Sequence, residues 1–196
     1  MKRPFETVAA MVALFAIMPL MLAIAVAIRL ESRGPVLFRQ PRFGLNRSVV
    51  LVTKFRTMHS YDADLGGRRQ TQRGDPRVTR VGRLLRGICL DELPQLWDVI
   101  CGRMSLVGPR PHPLEMEIEG APAELVIRDY HARHAVRPGI TGLAQVRGNR
   151  GPVTSLPMGQ QRIEYDVAYV RHCSFALDMK ILALTALVPF ERNLCY

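Results

Sequence analysis

The segment Thr7–Ile28, TVAAMVALFAIMPLMLAIAVAI, contains no charged residue over 22 positions. At about 1.5 Å of rise per helical residue, it is long enough to cross a hydrocarbon core about 30 Å thick. Pro19 lies near its middle, where the missing backbone donor and the bulky ring predict a kink. Kinked helices also occur in spanning segments, so the apolar run alone leaves open whether it crosses the bilayer or turns back.

Basic residues flank both ends of this apolar segment, with Lys2 and Arg3 before it and several arginines after it. Positively charged residues favour the cytoplasmic face of a membrane. The charge pattern therefore allows both ends to face the cytoplasm, as in a re-entrant helix broken at Pro19, and a kinked spanning helix stays open as the alternative. We predict this membrane-associated helix in residues 1–30 and a compact cytosolic domain in residues 31–196.

The chain is strongly basic, because 27 Lys and Arg residues against 17 Asp and Glu residues give a net charge of +10 and an isoelectric point near 10.2. The excess is concentrated between Arg29 and Arg86, where 14 basic residues stand against 4 acidic ones. A basic stretch directly after a membrane segment predicts contacts with anionic lipid head groups and with phosphate-bearing substrates.

The rest of the chain alternates between short strands, loops and helices. Apolar runs at Val36–Phe38 and Val49–Val52, separated by Gly44–Asn46, predict a small β-hairpin. The polar stretch Asp62–Asp75 predicts a loop near the functional face, and Tyr165–Val188 predicts an amphipathic helix lying on the membrane surface. The predicted fold class is therefore α+β, mainly α with one small hairpin and amphipathic interfacial helices.

Two adjacent carboxylates, Asp91 and Glu92, precede apolar positions between Leu93 and Ile100 that recur at helical spacing. The pattern predicts an amphipathic helix with the acidic pair at its N-terminus, where the helix dipole stabilises negative charge. An ionised Asp can act as a nucleophile or as a metal ligand. The alternative is that the pair only caps the helix.

Six sequence blocks, taken in order, resemble the bacterial sugar transferase family, the monotopic phosphoglycosyl transferases. The resemblance runs from Lys2 to near the C-terminus, and six blocks in the same order are far more specific than any one of them. The blocks are Lys54-Phe55-Arg56-Thr57-Met58, Asp75-Pro76-Arg77-Val78-Thr79, Gly82-Arg83-Leu84-Leu85-Arg86, Leu90-Asp91-Glu92-Leu93-Pro94-Gln95-Leu96, Met104-Ser105-Leu106-Val107-Gly108-Pro109-Arg110-Pro111 and Arg137-Pro138-Gly139-Ile140-Thr141-Gly142-Leu143-Ala144-Gln145-Val146.

The resemblance implies a two-step transfer of a sugar 1-phosphate from a UDP-sugar to polyprenyl (undecaprenyl) phosphate, with release of UMP. Asp91 is the expected nucleophile, forming a covalent phosphosugar ester, and Glu92 its neighbour. The family requires Mg²⁺, which we assign to Asp91 and Glu92. The expected location is the cytoplasmic face of the bacterial inner membrane, in the first membrane step of polysaccharide or glycoconjugate synthesis. The sugar and the pathway stay open.

Substrate contacts are predicted from the chemistry of arginine, whose planar fork of donors matches phosphate oxygens, and from the downstream blocks of the family. Pro109 and Pro111 hold Arg110 rigidly between them. The predicted substrate-binding residues are Lys54, Arg56, Arg86, Pro109, Arg110, Pro111, Gln145, Arg147, Arg162 and Asp166.

The sequence departs from the family pattern at three positions. Asn46 stands where the family often has Gly in the hairpin turn, and we expect it to adopt the left-handed conformation. Asp98 stands where the family often has Asn, and we expect it to face solvent. Met18 replaces the Ser that commonly precedes Pro19. No metal-ligand spacing connects the five histidines, which we expect at the surface or at an interface.

A different class of protein, a membrane-anchored binding protein for anionic lipid or nucleic acid, would also explain the charge. Nucleic-acid binding predicts aromatic residues among the basic ones, but only 7% of the residues are aromatic. A non-catalytic scaffold would leave the acidic pair unexplained. The expected partners are therefore a UDP-sugar, polyprenyl phosphate and anionic lipids, with no nucleic acid; self-association is left open.

Overall fold

The computed structural model of the protein describes residues 2–59, 64, 66–68, 70–72 and 74–187. It confirms a mainly α-helical chain with small sheets. The helices are α1 Lys2–Glu31, α2 Arg80–Gly87, α3 Gln95–Ile100, α4 Ala123–Val126, α5 Leu143–Val146, α6 Leu156–His172 and α7 Phe175–Leu187, and the strands are β1 Leu37–Phe43, β2 Val49–Phe55, β3 Ser105–Val107, β4 Glu117–Ile118, β5 Ala121–Pro122 and β6 Gly139–Thr141.

Helix α1 contains the whole apolar segment and is long and apolar enough to cross a membrane, by length and composition. Its buried residues are confined to the two ends, with Glu6 and Ala10 near the start and Ile24 and Ile28 near the finish. Pro19 lies in the exposed middle. The re-entrant turn at Pro19 stays a prediction.

Both ends of α1 make polar contacts with the same folded domain. The Lys2 ammonium lies 2.9 Å from a carboxylate oxygen of Asp178 in α7. At the other end, a carboxylate oxygen of Glu31 accepts a hydrogen bond of 2.7 Å from the backbone N–H of Arg80 and so caps the first turn of α2. The helix is thereby fixed to the domain at its first and last turns.

The predicted hairpin is confirmed, and its strands are longer than the apolar runs suggested. Strands β1 and β2 pair antiparallel from Leu37 opposite Phe55 to Phe43 opposite Val49. Asn46 in the connecting turn has φ 51° and ψ 36°, the left-handed conformation expected of it.

Asp98 is fully buried, so its predicted exposure to solvent is wrong. Its carboxylate accepts hydrogen bonds from the backbone N–H of Thr53 at 2.7 Å, from the Thr53 hydroxyl at 3.1 Å and from Arg103 at 2.7 Å. The error arose because a polar residue was assigned to the solvent-facing side of α3, whereas α3 buries Asp98 and Val99 and leaves Trp97 53% exposed. Asp98 thus joins α3 to the strand residue that precedes Lys54.

Two of the sequence blocks meet where β3 and β6 pair in parallel, with Ser105 opposite Gly139. The backbones approach so closely that a Cβ on Gly139 would lie 2.1 Å from the backbone nitrogen of Gly108. Only glycine allows this contact. The contact fixes the start of the turn that carries Pro109 and Arg110.

The C-terminal part differs from the single surface helix predicted over Tyr165–Val188. The chain forms two helices, α6 and α7, with Cys173 and Ser174 between them. Helix α6 belongs to the core, because Ile163 and Val167 pack in one buried cluster with Met116, Ile118 and Tyr130. One face of α6 therefore forms a wall of the domain, and the predicted contact of this region with a membrane surface stays a prediction.

Candidate active site

A cavity of about 790 Å³ opens between the hairpin, the turn before α3, the Pro111–Pro113 segment and α6. Among the described residues, eight basic side chains and three acidic ones line it, which suits an anionic ligand. The basic residues are Arg42, Lys54, Arg56, Arg77, Arg86, Arg110, Arg150 and Arg162, and the acidic ones are Asp64, Asp91 and Glu92.

A tight turn brings Arg86 and Asp91 to the same cavity. Arg86 lies in the last turn of α2, and Cys89 then reverses the chain in the left-handed conformation, with φ 56°. A 3₁₀ turn over Leu90–Glu92 follows, so the acidic pair precedes α3 by several residues instead of forming its first turn. The position of the pair is set by this reversal and not by capping of α3.

Glu92 is held between two cations. The Lys54 ammonium donates to its Oε1 at 2.6 Å, and Arg110 binds both carboxylate oxygens, with 2.8 Å from Nη1 to Oε2. Burial alone would raise the pKa of Glu92, but Arg110 and Lys54 together hold that pKa well below its usual range. Glu92 is therefore a fixed anion that keeps two cations in the cavity.

Asp91 differs sharply from its neighbour. Its side chain is buried, lines the cavity and forms no hydrogen bond or ion pair with the part of the chain that the structure describes. Burial raises the pKa of Asp91, while the nearby Lys54 and Arg86 act in the opposite direction. The cavity thus contains, among cations, a carboxylate that no described residue binds, and we call this carboxylate uncommitted. A nucleophile or a metal ligand needs this arrangement.

Two other arginines predicted to bind phosphate differ in how many of their N–H donors already bind protein atoms. Arg86 donates from Nε to the Thr57 hydroxyl at 2.8 Å and lies close enough to act on the pKa of Asp91. Arg56 also lines the cavity, but its guanidinium donates to the carbonyls of Ser32 and Arg33 at 2.8 and 3.0 Å. Arg56 therefore fixes the chain that leaves α1.

The remaining predicted residues fall into two groups. Pro111, Gln145 and Arg162 line the cavity, and Arg162 is buried, donating at 2.8 Å to Asn149.

The structure does not bring the other three into the cavity lining. Pro109 lies behind the cavity wall, and Arg147 is exposed. Asp166 is buried in an ion pair of 2.7 Å with Arg133, a fully buried arginine whose guanidinium also donates to the Arg110 carbonyl at 2.5 Å. Asp166 is thus placed to support the position of Arg110 through Arg133.

Arg42 lines the cavity but was not among the residues predicted from the sequence. Its pKa is lowered to about 10, chiefly by burial. Its guanidinium donates to Gln40 at 2.6 Å and to the Pro111 carbonyl at 2.5 Å. The hairpin register could have revealed Arg42. Phe38 lies opposite Lys54, and every second residue of a strand faces the same side, so Phe38 and Arg42 share one face of β1. The hairpin register therefore places Arg42 on the same face as Lys54.

The expected surface position of the histidines is wrong for two of them. His112 and His134 are both buried, with 4% and 6% of their surface exposed. His112 lies in the turn after Pro111, which carries its ring inward, and its Nδ1 lies 3.0 Å from the Tyr130 hydroxyl. His112 also lines the cavity.

The expected Mg²⁺ can be tested against the ligands present. No group of three or more His, Cys, Asp or Glu side chains placed to hold a metal occurs among the described residues. Mg²⁺ commonly binds one or two carboxylates together with substrate phosphates. Asp91 fits that pattern, whereas both oxygens of Glu92 already accept hydrogen bonds. The residues therefore fit a metal held by Asp91 jointly with a phosphorylated ligand.

The two adjacent carboxylates should have opposite effects on stability. In metal-free buffer at pH 7, Asp91→Asn should raise the thermal unfolding midpoint, because burial penalises its charge. The gain should shrink as the pH falls through the raised pKa of Asp91 in the folded protein, and it should vanish only below the ordinary pKa of an unfolded Asp, about 3.9, where the carboxyl is protonated in both states. Glu92→Gln should cost about 2 kcal/mol or more, because Lys54 and Arg110 lose their counter-charge.

Asp129→Asn is a matched control, because Asp129 is exposed and its positive φ of 56° also suits Asn. Its midpoint should match that of the wild type. Midpoint shifts of the same sign in Asp91→Asn and Glu92→Gln would contradict this description of the pair.

The chain matches the sequence model of the bacterial sugar transferase family over residues 1–192. It is 48% identical over 193 residues to the undecaprenyl-phosphate glucose phosphotransferase of Komagataeibacter xylinus, covering 98% of this chain and 36% of that protein. It is 44% identical over 193 residues to the exopolysaccharide production protein PSS of Rhizobium leguminosarum bv. phaseoli, covering 98% of this chain and 96% of that protein.

A third relative is the UDP-N-acetylgalactosamine-undecaprenyl-phosphate N-acetylgalactosaminephosphotransferase of Aeromonas hydrophila, which is 41% identical over 184 residues, or 94% of this chain and 42% of that protein. The chain thus spans less than half the length of two of these relatives and nearly all of the other. Because the family model covers almost the whole sequence, the chain belongs to the bacterial sugar transferase family.

Proposed function

We propose that the protein transfers a sugar 1-phosphate from a UDP-sugar to undecaprenyl phosphate, giving undecaprenyl-diphosphate-sugar and UMP. The observation that carries this proposal is the uncommitted Asp91 carboxylate in a buried basic cavity. The names of the relatives support the substrate classes, since they include a glucose and an N-acetylgalactosamine phosphotransferase. These two names also differ in the sugar, so the sugar is left open.

In the first step, an Asp91 oxygen attacks the β-phosphorus of the UDP-sugar. The bond from that phosphorus to the bridging oxygen breaks, UMP leaves with the bridging oxygen, and a phosphosugar ester stays on Asp91. Lys54, Arg86 and Arg110 surround the reacting group and offset its negative charge. Glu92 touches two of these cations and acts as a positioning residue.

In the second step, a phosphate oxygen of undecaprenyl phosphate attacks the same phosphorus, and the bond to Asp91 breaks. The carboxylate is thereby restored for the next cycle. Apolar side chains line the cavity beside the acidic pair, including Ile88, Leu93 and Leu96. These residues suit the first carbons of a lipid chain, while the basic residues receive the phosphate.

Mg²⁺ is part of the proposal, held by Asp91 together with the diphosphate. When bound, it would neutralise the diphosphate and make UMP a better leaving group. Glu92 would join it only if Lys54 and Arg110 moved from the carboxylate to the incoming phosphates.

We also propose that α1 is re-entrant, so that the domain lies on the cytoplasmic face of the bacterial inner membrane. The contacts at its two ends support this topology: Lys2 pairs with Asp178 and Glu31 binds Arg80 of the same domain. A straight helix across the bilayer would place these ends on opposite sides. The exposed apolar middle, around Phe15 and Leu22, would then enter the lipid.

Helix α2 supports contact with anionic lipid. It buries Gly82 and Leu85 and exposes Arg80, Arg83 and Leu84, so it presents apolar and basic side chains together. A lipid-binding protein without activity would share this surface. It would have no need of the buried, uncommitted Asp91.

Release of UMP separates the proposed enzyme from a binding protein. With Mg²⁺ and undecaprenyl phosphate, the wild type should release UMP from UDP-glucose, UDP-N-acetylgalactosamine or a related UDP-sugar. Asp91→Asn should reduce the rate by roughly 10³-fold or more, because a neutral amide cannot attack phosphorus. Asp129→Asn should keep the wild-type rate. No UMP from any UDP-sugar, or full activity in Asp91→Asn, would refute the proposal.

The topology can be tested with single cysteines at Pro4 and Arg39, both exposed, in a background with the native cysteines replaced by serine. Pro4 is preferred to Lys2 because Lys2 pairs with Asp178. An impermeant thiol reagent should label both positions from the cytoplasmic side of sealed vesicles and from that side only. A cysteine at Phe15 should resist labelling from either side. Labelling of positions 4 and 39 from opposite sides would show a spanning helix.

A further inference from the structure

His112 has a ring nitrogen that the fold does not use. Its Nδ1 lies 3.0 Å from the Tyr130 hydroxyl, but its buried Nε2 has no hydrogen-bond partner among the described residues. A buried polar atom without a partner is costly, so a partner such as a water or a ligand is expected to complete it. His112 is 96% buried yet lines the cavity, so the unused Nε2 is available to a molecule bound there.

The surroundings of His112 keep its ring neutral. Burial lowers the pKa of His112 well below its usual value, and the charges of Arg133, Arg162 and Arg42 lower it further. A neutral imidazole carries one proton, so one nitrogen donates and the other accepts.

Tyr130 selects which nitrogen carries that proton. Burial raises the pKa of Tyr130, so its hydroxyl stays protonated. The Arg133 guanidinium lies 5.8 Å from the centre of the Tyr130 ring, and its positive charge attracts the lone pairs of the hydroxyl. The hydroxyl proton is then directed to His112 Nδ1. This arrangement favours the tautomer in which Nε2 carries the ring proton and is a donor.

A second unused atom lines the same cavity. The Gln145 side-chain nitrogen donates to the Ile140 carbonyl at 3.0 Å, which fixes the orientation of the amide. Its oxygen, Oε1, is buried and has no partner among the described residues. Oxygens of an ionised phosphate only accept hydrogen bonds, so Gln145 Oε1 needs a ligand that also carries a donor, such as a hydroxyl or an imide N–H.

The contacts of His112 separate it from the acidic pair. Its side chain bonds Tyr130, and among the described residues no hydrogen bond joins it to Asp91. His112 is therefore a residue of the cavity wall that is not in hydrogen-bond contact with the proposed nucleophile.

We propose that His112 is a specificity residue whose Nε2–H donates a hydrogen bond to an oxygen of the UDP-sugar outside its diphosphate. This inference rests on the proposed function. The acceptor is an oxygen of the uridine or of the sugar, and both offer the same chemistry to a neutral donor. Because His112 is not placed at the phosphorus, its loss weakens binding and leaves the chemical steps intact.

The test compares two replacements of His112. Asn keeps a polar group near Nδ1 for Tyr130 but has nothing at Nε2, whereas Gln reaches the Nε2 position with an N–H. His112→Asn should raise the KM for the UDP-sugar about tenfold, because one hydrogen bond to the substrate is lost. The value of kcat should stay within about twofold of the wild type. His112→Gln should recover much of the loss. His172→Asn, an exposed control, should leave KM unchanged.

Two further measurements assign the acceptor. If UMP inhibits His112→Asn about tenfold more weakly than it inhibits the wild type, the acceptor belongs to the nucleotide. If inhibition by UMP is unchanged while KM rises, the acceptor belongs to the sugar. The KM for undecaprenyl phosphate should stay unchanged in both cases.

Direct binding separates this inference from the proposed function. Titration of UDP-glucose, or of the UDP-sugar that the wild type uses, into Asp91→Asn protein measures affinity without turnover. Adding His112→Asn to that background should weaken the affinity about tenfold, whether or not the wild type releases UMP. Unchanged affinity, or a fall in kcat and unfolding midpoint that His112→Gln does not reverse, would reduce His112 to a structural residue.

Discussion

The site depends on the ion pairs that join Glu92 to Lys54 and Arg110. These residues come from a strand, a 3₁₀ turn and a glycine-led turn that are distant in sequence, and the buried Glu92 carboxylate contacts both cations beside the cavity. A cavity lined by so many cations would otherwise be strained by mutual repulsion. Glu92 takes both of these ion pairs, and Asp91 beside it forms none with the part of the chain that the structure describes.

Strand β2 connects this site to the membrane helix. Thr53 is held by the buried Asp98, Lys54 pairs with Glu92, and Arg56 binds the carbonyls that follow α1. Two residues of β2 and the residue that follows it thus tie together α3, the turn that carries Glu92 and the end of α1. The position of Glu92 beside the cavity is therefore set from the same part of the chain that is joined to the end of α1.

The sequence predicted the elements with strong local signals and failed where tertiary contacts decide. The apolar helix, the hairpin and the left-handed Asn46 follow from composition and turn chemistry, and the structure confirms them. The motif order placed Asp91 and Glu92 in one site, but it could not show that only Glu92 is paired. Asp98 and His112 were assigned to the surface because each is polar; their burial depends on partners 45 and 18 residues away.

The proposed covalent phosphosugar ester on Asp91 is tested most directly by mass spectrometry of the intact protein and of its peptides after digestion. Wild-type protein is incubated with Mg²⁺ and the UDP-sugar it uses, without undecaprenyl phosphate. The account predicts about one UMP released per chain and a phosphosugar adduct on the peptide that contains Asp91. UMP release only when undecaprenyl phosphate is present, with no adduct trapped, would contradict it and favour direct transfer between the two bound substrates.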